Sequence, residues 1–90
     1  MKTVKVENMT SYKGNKVANQ FILKTSKGAY FQSYNSIIAF EDIDGVVTLD
    51  KTYWDYSNTT RKYRNIFLGQ KSTGVKARIK NGTYKLADLN

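Results

Sequence analysis

Apolar and polar residues alternate along the first half of the chain and change to a helical spacing in the second half. Residues 3–7 alternate about Val4 and Val6 and predict a short first strand. In residues 17–25, Val17, Phe21 and Leu23 point one way and Gln20, Ile22 and Lys24 the other, which predicts a second strand. Ser26-Lys27-Gly28 makes a hairpin connection with Gly where a positive φ is needed, and residues 29–33 return as the partner strand. After a turn at Tyr34-Asn35-Ser36, residues 37–41 and 46–49 form a second hairpin, with Ile38 and Phe40 able to face Val47 and Leu49. This half therefore predicts an antiparallel meander.

The period changes at Asp50, which can cap a short helical turn carrying Lys51, Tyr53, Trp54 and Tyr56, with Trp54 as the anchor between helix and sheet. The central stretch is residues 56–69, YSNTTRKYRNIFLG, where Ser57 or Thr59 can cap a helix over 59–68 and Gly69 suits its left-handed end. Thr60, Tyr63, Ile66 and Phe67 are expected on its apolar face, with Arg61, Arg64 and Asn65 on the other. Ser72 can cap a further helix over 73–80, with Val75 and Ile79 inward, Lys76 and Lys80 one turn apart, and Asn81-Gly82 as its stop. Residues 83–89 alternate again, as a final strand or an extended tail.

The predicted fold is α+β: a small antiparallel β-sheet of about five strands in a meander, followed by two or three short helices packed on one face. It is one domain over 1–90, divided into a β-meander at 1–49, a basic helical part at 50–82 and a C-terminal strand or tail at 83–90. The expected core comprises Phe21, Leu23, Phe31, Ile38, Phe40, Val47 and Leu49 from the strands. From the later segments it comprises Trp54, Tyr63, Ile66, Phe67, Val75, Ile79 and Leu86.

Charge changes the picture most by its distribution. The net charge is +8, yet no acid occurs from residue 56 to 87, where Arg61, Lys62, Arg64, Lys71, Lys76, Arg78, Lys80 and Lys85 lie. Five of the seven acids, Glu41, Asp42, Asp44, Asp50 and Asp55, fall between residues 41 and 55. Such asymmetry favours an anionic partner, nucleic acid or an acidic protein surface. There is no Cys, which removes disulfides and thiolate metal sites, and no His, which removes the usual general base and the commonest metal ligand. No stretch reads as a signal peptide or a membrane span, and the expected compartment is a reducing cytoplasm.

Candidate chemistry is sparse. Asp42-Ile43-Asp44-Gly45 resembles the start of a calcium loop but lacks its later ligands and reads as a turn. No complete phosphate-loop or dinucleotide fingerprint is present, so neither cofactor, metal nor catalytic residue is expected. The candidate partner- or phosphate-binding residues are Ser57, Thr59, Thr60, Arg61, Lys62, Arg64, Lys76 and Lys80, grouped by a helix start that favours an anion and by its basic face. The same residues also fit a capped helix with a solvated face. Tyr30 and Tyr34 are candidates for base stacking or for a protein interface, among seven Tyr, four Phe and one Trp.

Three segments, YFQSYNSIIAF (30–40), WDYSNTTRKYRNIFLG (54–69) and NGTYKLADLN (81–90), resemble a family of small uncharacterised proteins encoded by bacteriophages and other mobile elements of Gram-positive bacteria. The resemblance implies expression in the cytoplasm of a bacterial host and a role in binding. The leading expectation is a non-enzymatic phage-derived protein that inhibits or modulates a host target, a nucleic-acid-handling or defence complex such as a CRISPR effector. The alternatives are a direct DNA- or RNA-binding protein using the basic helical face, and a self-associating structural or assembly component. The expected partner is a host protein or nucleoprotein complex, or nucleic acid directly, with no membrane contact and with a monomer or small homo-oligomer as the working unit.

Overall fold

A computed structural model describes residues 4–11 and 13–90. Its elements run in the order β1 (Lys5–Thr10), β2 (Lys16–Thr25), β3 (Gly28–Ser33), β4 (Ser36–Asp42), β5 (Val47–Asp50), α1 (Asn58–Leu68), α2 (Ser72–Lys80) and β6 (Lys85–Ala87). The strands form one six-stranded sheet in sequence order. The first five pair antiparallel, and β6 pairs parallel to β5. The last pairing is parallel because α1 and α2 supply the crossover that a parallel partner requires. The α+β fold, with sheet first and helices after, is therefore as the sequence predicts. Thr3, placed in the first strand by its alternation, lies outside the described residues.

One face of the sheet is covered. Phe31 is fully buried and its ring stacks on Phe67 of α1 at 5.9 Å between centroids, so the face carrying Phe31 is the helix side. Met9, Ile38, Ala39, Val47, Leu49, Tyr63, Val75 and Tyr84 complete the buried core, with Val17, Ile22, Tyr53, Trp54, Phe67, Leu68 and Ile79 packed against it. Ile38 and Ala39 are both buried although they are adjacent, because β4 carries a bulge where Phe31 pairs with Ala39 and Gln32 with Ile37. Burial of the Tyr84 side chain also pushes its phenol above the usual tyrosine range.

Several expected core residues lie elsewhere. Leu23, Tyr30 and Phe40 are directly paired across β2, β3 and β4, and they alternate with Phe31, so they occupy the face away from the helices. Phe21 shares that face with Gln32, its partner in register. The helix side of β2 is instead Gln20 and Ile22, joined by Val17 because β2 bulges between Lys16 and Phe21, with Asn19 at a φ of 65°. Leu86 pairs with Leu49 but is 45% exposed on the edge strand, and Ile66 is 55% exposed on the outer side of α1.

Gly28 illustrates how tightly the meander closes. Its φ is 145°, and a Cβ there would run into the Glu41 carbonyl oxygen and the Asp42 Cα of the neighbouring strand. No helix among the described residues is long and apolar enough to cross a membrane.

Candidate functional site

The helical start that organises the second half is built as its sequence predicts. Ser57 is the N-cap, in extended backbone, and its Oγ accepts from the Thr60 N–H at 3.2 Å. Gly69 closes the helix in the left-handed region at φ 65°. Thr60 is buried and its hydroxyl meets Ser33 Oγ at 2.9 Å, while Ser57 Oγ also donates to it at 3.2 Å. A seam of hydroxyls thus joins the start of α1 to the end of β3. Gln20, directly paired with Ser33, is fully buried beside that seam. Thr59 points outward, and the N–H groups of Asn58 and Thr59 have no acceptor among the described residues.

Above the seam lies a cleft of about 590 Å³ between the β3–β4 turn and the start of α1. The turn contributes Tyr34, Asn35 and Ser36, and the strands behind it contribute Ser33 and Ile38. The segment entering α1 contributes Tyr53, Tyr56, Ser57 and Thr59. Three tyrosine rings and four hydroxyl side chains therefore face one space, and no charged side chain among the described residues lines it. Tyr53 and Tyr56 meet edge to face at 5.6 Å, and Tyr56 remains 68% exposed. Tyr34 is 51% exposed and adopts a φ of 56°, unusual for a residue with a side chain. Its backbone is held from both sides, with its N–H donating to Asn19 O at 2.7 Å and its C=O accepting from Gln32 Nε2 at 2.8 Å.

The predicted basic face divides into two sets. Arg64 leaves it altogether: it is fully buried, donating to Trp54 O at 2.7 Å, to Asn65 Oδ1 at 2.8 Å and to Ser72 Oγ at 3.3 Å. Its guanidinium also lies 5.4 Å from the Trp54 ring centroid. Ser72, expected as the cap of α2, is consumed by Arg64 and Asn65, and Lys71 stands at the cap position without a side-chain bond. Arg61 pairs with Asp55 at 2.7 Å and also bonds Asn58. Chiefly through its bond with Arg61, the Asp55 carboxyl is held below the usual carboxylate range against the opposing effect of burial. Burial draws the Arg64 guanidinium below its ordinary value and Asp55 opposes that shift.

The second set stays open. Lys62, Lys76 and Lys80 are exposed, and neither they nor Lys71 and Arg78 have a carboxylate partner among the described residues. Lys62 sits one turn beyond Thr59 on the same outward stripe of α1, its ammonium 5.4 Å from the Tyr63 ring.

Of the two aromatic candidates, only Tyr34 belongs to the cleft. Tyr30 stacks on Phe40 at 4.4 Å on the opposite side of the sheet, beside a shallow apolar hollow with Val4, Leu23, Ile37 and Leu89. Sequence reasoning missed Tyr53, Tyr56, Ser36 and Asn35 as cleft residues. The available signal was Tyr53 and Tyr56 three apart immediately before the Ser57 cap, opposite the aromatic turn at Tyr34.

Fold and site together define a small basic α+β module, with an uncharged tyrosine-lined cleft at the entry to a cationic helical layer. Residues 4–83 match the model of a family of unknown function, DUF8033, and the chain belongs to that family. No curated protein and no solved structure matches it.

Proposed function

We propose that this is a non-enzymatic binding protein that attaches to a nucleic-acid-handling complex of a host cell and modulates it, touching the nucleic acid itself through its helical layer. The observation that carries this reading is the set of cations Lys62, Lys71, Lys76, Arg78 and Lys80, which have no carboxylate partner among the described residues, on a segment that follows Asp55, an acid already held by Arg61 and Arg64. Cations not neutralised by a carboxylate are free to displace counterions from phosphates. Supporting the absence of catalysis are a chain without His or Cys and a cleft without an acid, which leave no general base beside its hydroxyls. The resemblance of residues 54–69 to phage-encoded proteins is the reason for placing the target in a bacterial host, a defence complex above all.

Fluorescence anisotropy on labelled single- and double-stranded DNA and RNA across a salt series tests the reading. Wild type binds at physiological salt with a negative log–log slope. A Lys62→Ala, Lys76→Ala, Lys80→Ala variant binds about tenfold or more weakly, and its slope on single strands is shallower by about 2, at roughly 0.7 per phosphate contact. Absence of wild-type binding at physiological salt eliminates direct contact with nucleic acid.

A further inference from the structure

The cleft adds a different kind of chemistry from the cations. Its lining contains no charge among the described residues, which therefore offer nothing to neutralise a phosphate within it. It instead presents rings from two separate segments, Tyr34 from the β3–β4 turn and Tyr56 from the entry to α1, each more than half exposed. Around them stand the hydroxyls of Ser36 and Thr59 and the amide of Asn35, which both donate and accept hydrogen bonds. Flat rings with neutral donors and acceptors beside them match a flat ring with a polar edge, as a nucleobase has. A base within a duplex cannot reach such a space, whereas an unpaired base can. The rings are also well placed before any ligand arrives. The Tyr34 backbone is fixed by Asn19 and Gln32, and the Tyr56 and Tyr53 rings meet edge to face. Presenting rings from a fixed backbone lowers the entropy lost on binding.

We propose that the cleft between the β3–β4 turn and the start of α1 receives an unstacked base of a single-stranded nucleic acid, stacked on Tyr34 or Tyr56, while Lys62 one turn away holds a neighbouring phosphate. This rests on the reading of the helical layer as a nucleic-acid contact and gives that contact its strand preference. Cations set the salt dependence; the tyrosines set the preference for unpaired strands.

The test compares a labelled single strand with the same strand carrying abasic sites, on wild type, on Tyr34→Ala, Tyr56→Ala and on Tyr34→Phe, Tyr56→Phe. Thermal melting confirms that each variant folds. The Ala variant is expected to bind the intact strand about ten- to a hundredfold more weakly with an unchanged salt slope, and the Phe variant to stay close to wild type. Wild type on the abasic strand should lose affinity to the same extent, an arm that does not depend on any variant folding. Equal wild-type affinity for intact and abasic strands, with a normal salt slope, overturns the base site and leaves the cationic contact standing. No wild-type binding to any strand at physiological salt overturns both.

Discussion

Arg64→Ala is expected to lower the unfolding free energy by about 3–5 kcal/mol, the cost of removing one partner from a buried charged network. The side chain is fully buried and ties together three segments: the turn at 51–55 through Trp54 O and Asp55, α1 through Asn65, and the start of α2 through Ser72. Truncation leaves the Trp54 carbonyl without its donor, opens a void against the Trp54 ring and frees the start of α2, which has no side-chain cap of its own. Arg64→Lys retains the charge but not the planar fork and recovers only part of the loss. Arg61 provides the contrast, because its side chain is 37% exposed and its pair with Asp55 is partly screened, so Arg61→Ala costs less than about 1 kcal/mol. Urea unfolding followed by the fluorescence of the single Trp, which lies against the Arg64 guanidinium, reads both variants. If Arg64→Ala costs no more than Arg61→Ala, the buried fork is not what joins the helices.

That expectation inverts the assignment from pattern alone, and the reason is physical. A polar residue one step from an apolar stripe is normally assigned outward, which selects Thr60, Tyr63, Ile66 and Phe67 as the inner face. The inner face is Thr60, Tyr63, Arg64 and Phe67, equally good helical spacing, with Ile66 turned to solvent. What decides between them is a set of acceptors at residues 54, 65 and 72, brought together only by the tertiary fold. The caps of α1, by contrast, are local: Ser57, one of the two capping residues the sequence offers, and Gly69 stand there, whereas the expected Ser72 cap of α2 is lost to the same tertiary network.

The same distinction holds in the sheet. Strand alternation is local, so the meander and its turns are legible. The choice of buried face is not, because both faces of β2 carry apolar residues, Ile22 on one side and Phe21 and Leu23 on the other. The bulge at Asn19 then moves Val17 onto the helix side, a change of register that alternation cannot reveal. The cleft lies furthest from local logic. Tyr34 and Tyr56 are twenty-two residues apart and become neighbours only when α1 packs over the end of β3. Composition indicated aromatic rings and positive charge, and topology selected Tyr34 for the cleft while sending Tyr30 to the far side.

Asp50→Ala is expected to cost about 4 kcal/mol and to reduce the sensitivity of the fold to acid, given roughly 1.5–3 kcal/mol for each bond to a charged group and incomplete additivity. Asp50 ends β5 almost fully buried, and its carboxylate accepts from the N–H groups of Thr52, Tyr53 and Leu89 at 3.0, 2.8 and 2.8 Å. One side chain thus shapes the turn toward Trp54 and anchors the chain beyond β6. Burial pushes the Asp50 carboxyl up, but the donors from Leu89, Tyr53 and Thr52 outweigh it and hold the group below its ordinary value. A depressed native value means that this stability is fully present above the unfolded value near pH 4 and is lost as pH falls through the native one. Asp55 acts with the same sign through Arg61. Wild-type stability should therefore fall as pH drops below about 4, and Asp50→Asn should fall less steeply in that window from a lower starting point. Hydrogen exchange locates the damage: the Lys51 amide, bonded to Ala87 O at 2.8 Å across the parallel β5–β6 pair, exchanges faster in the variant than the amides of β3. Parallel pH profiles for wild type and Asp50→Asn would show that the acid sensitivity resides elsewhere, and an unchanged Lys51 amide would show that β6 is held by the crossover alone.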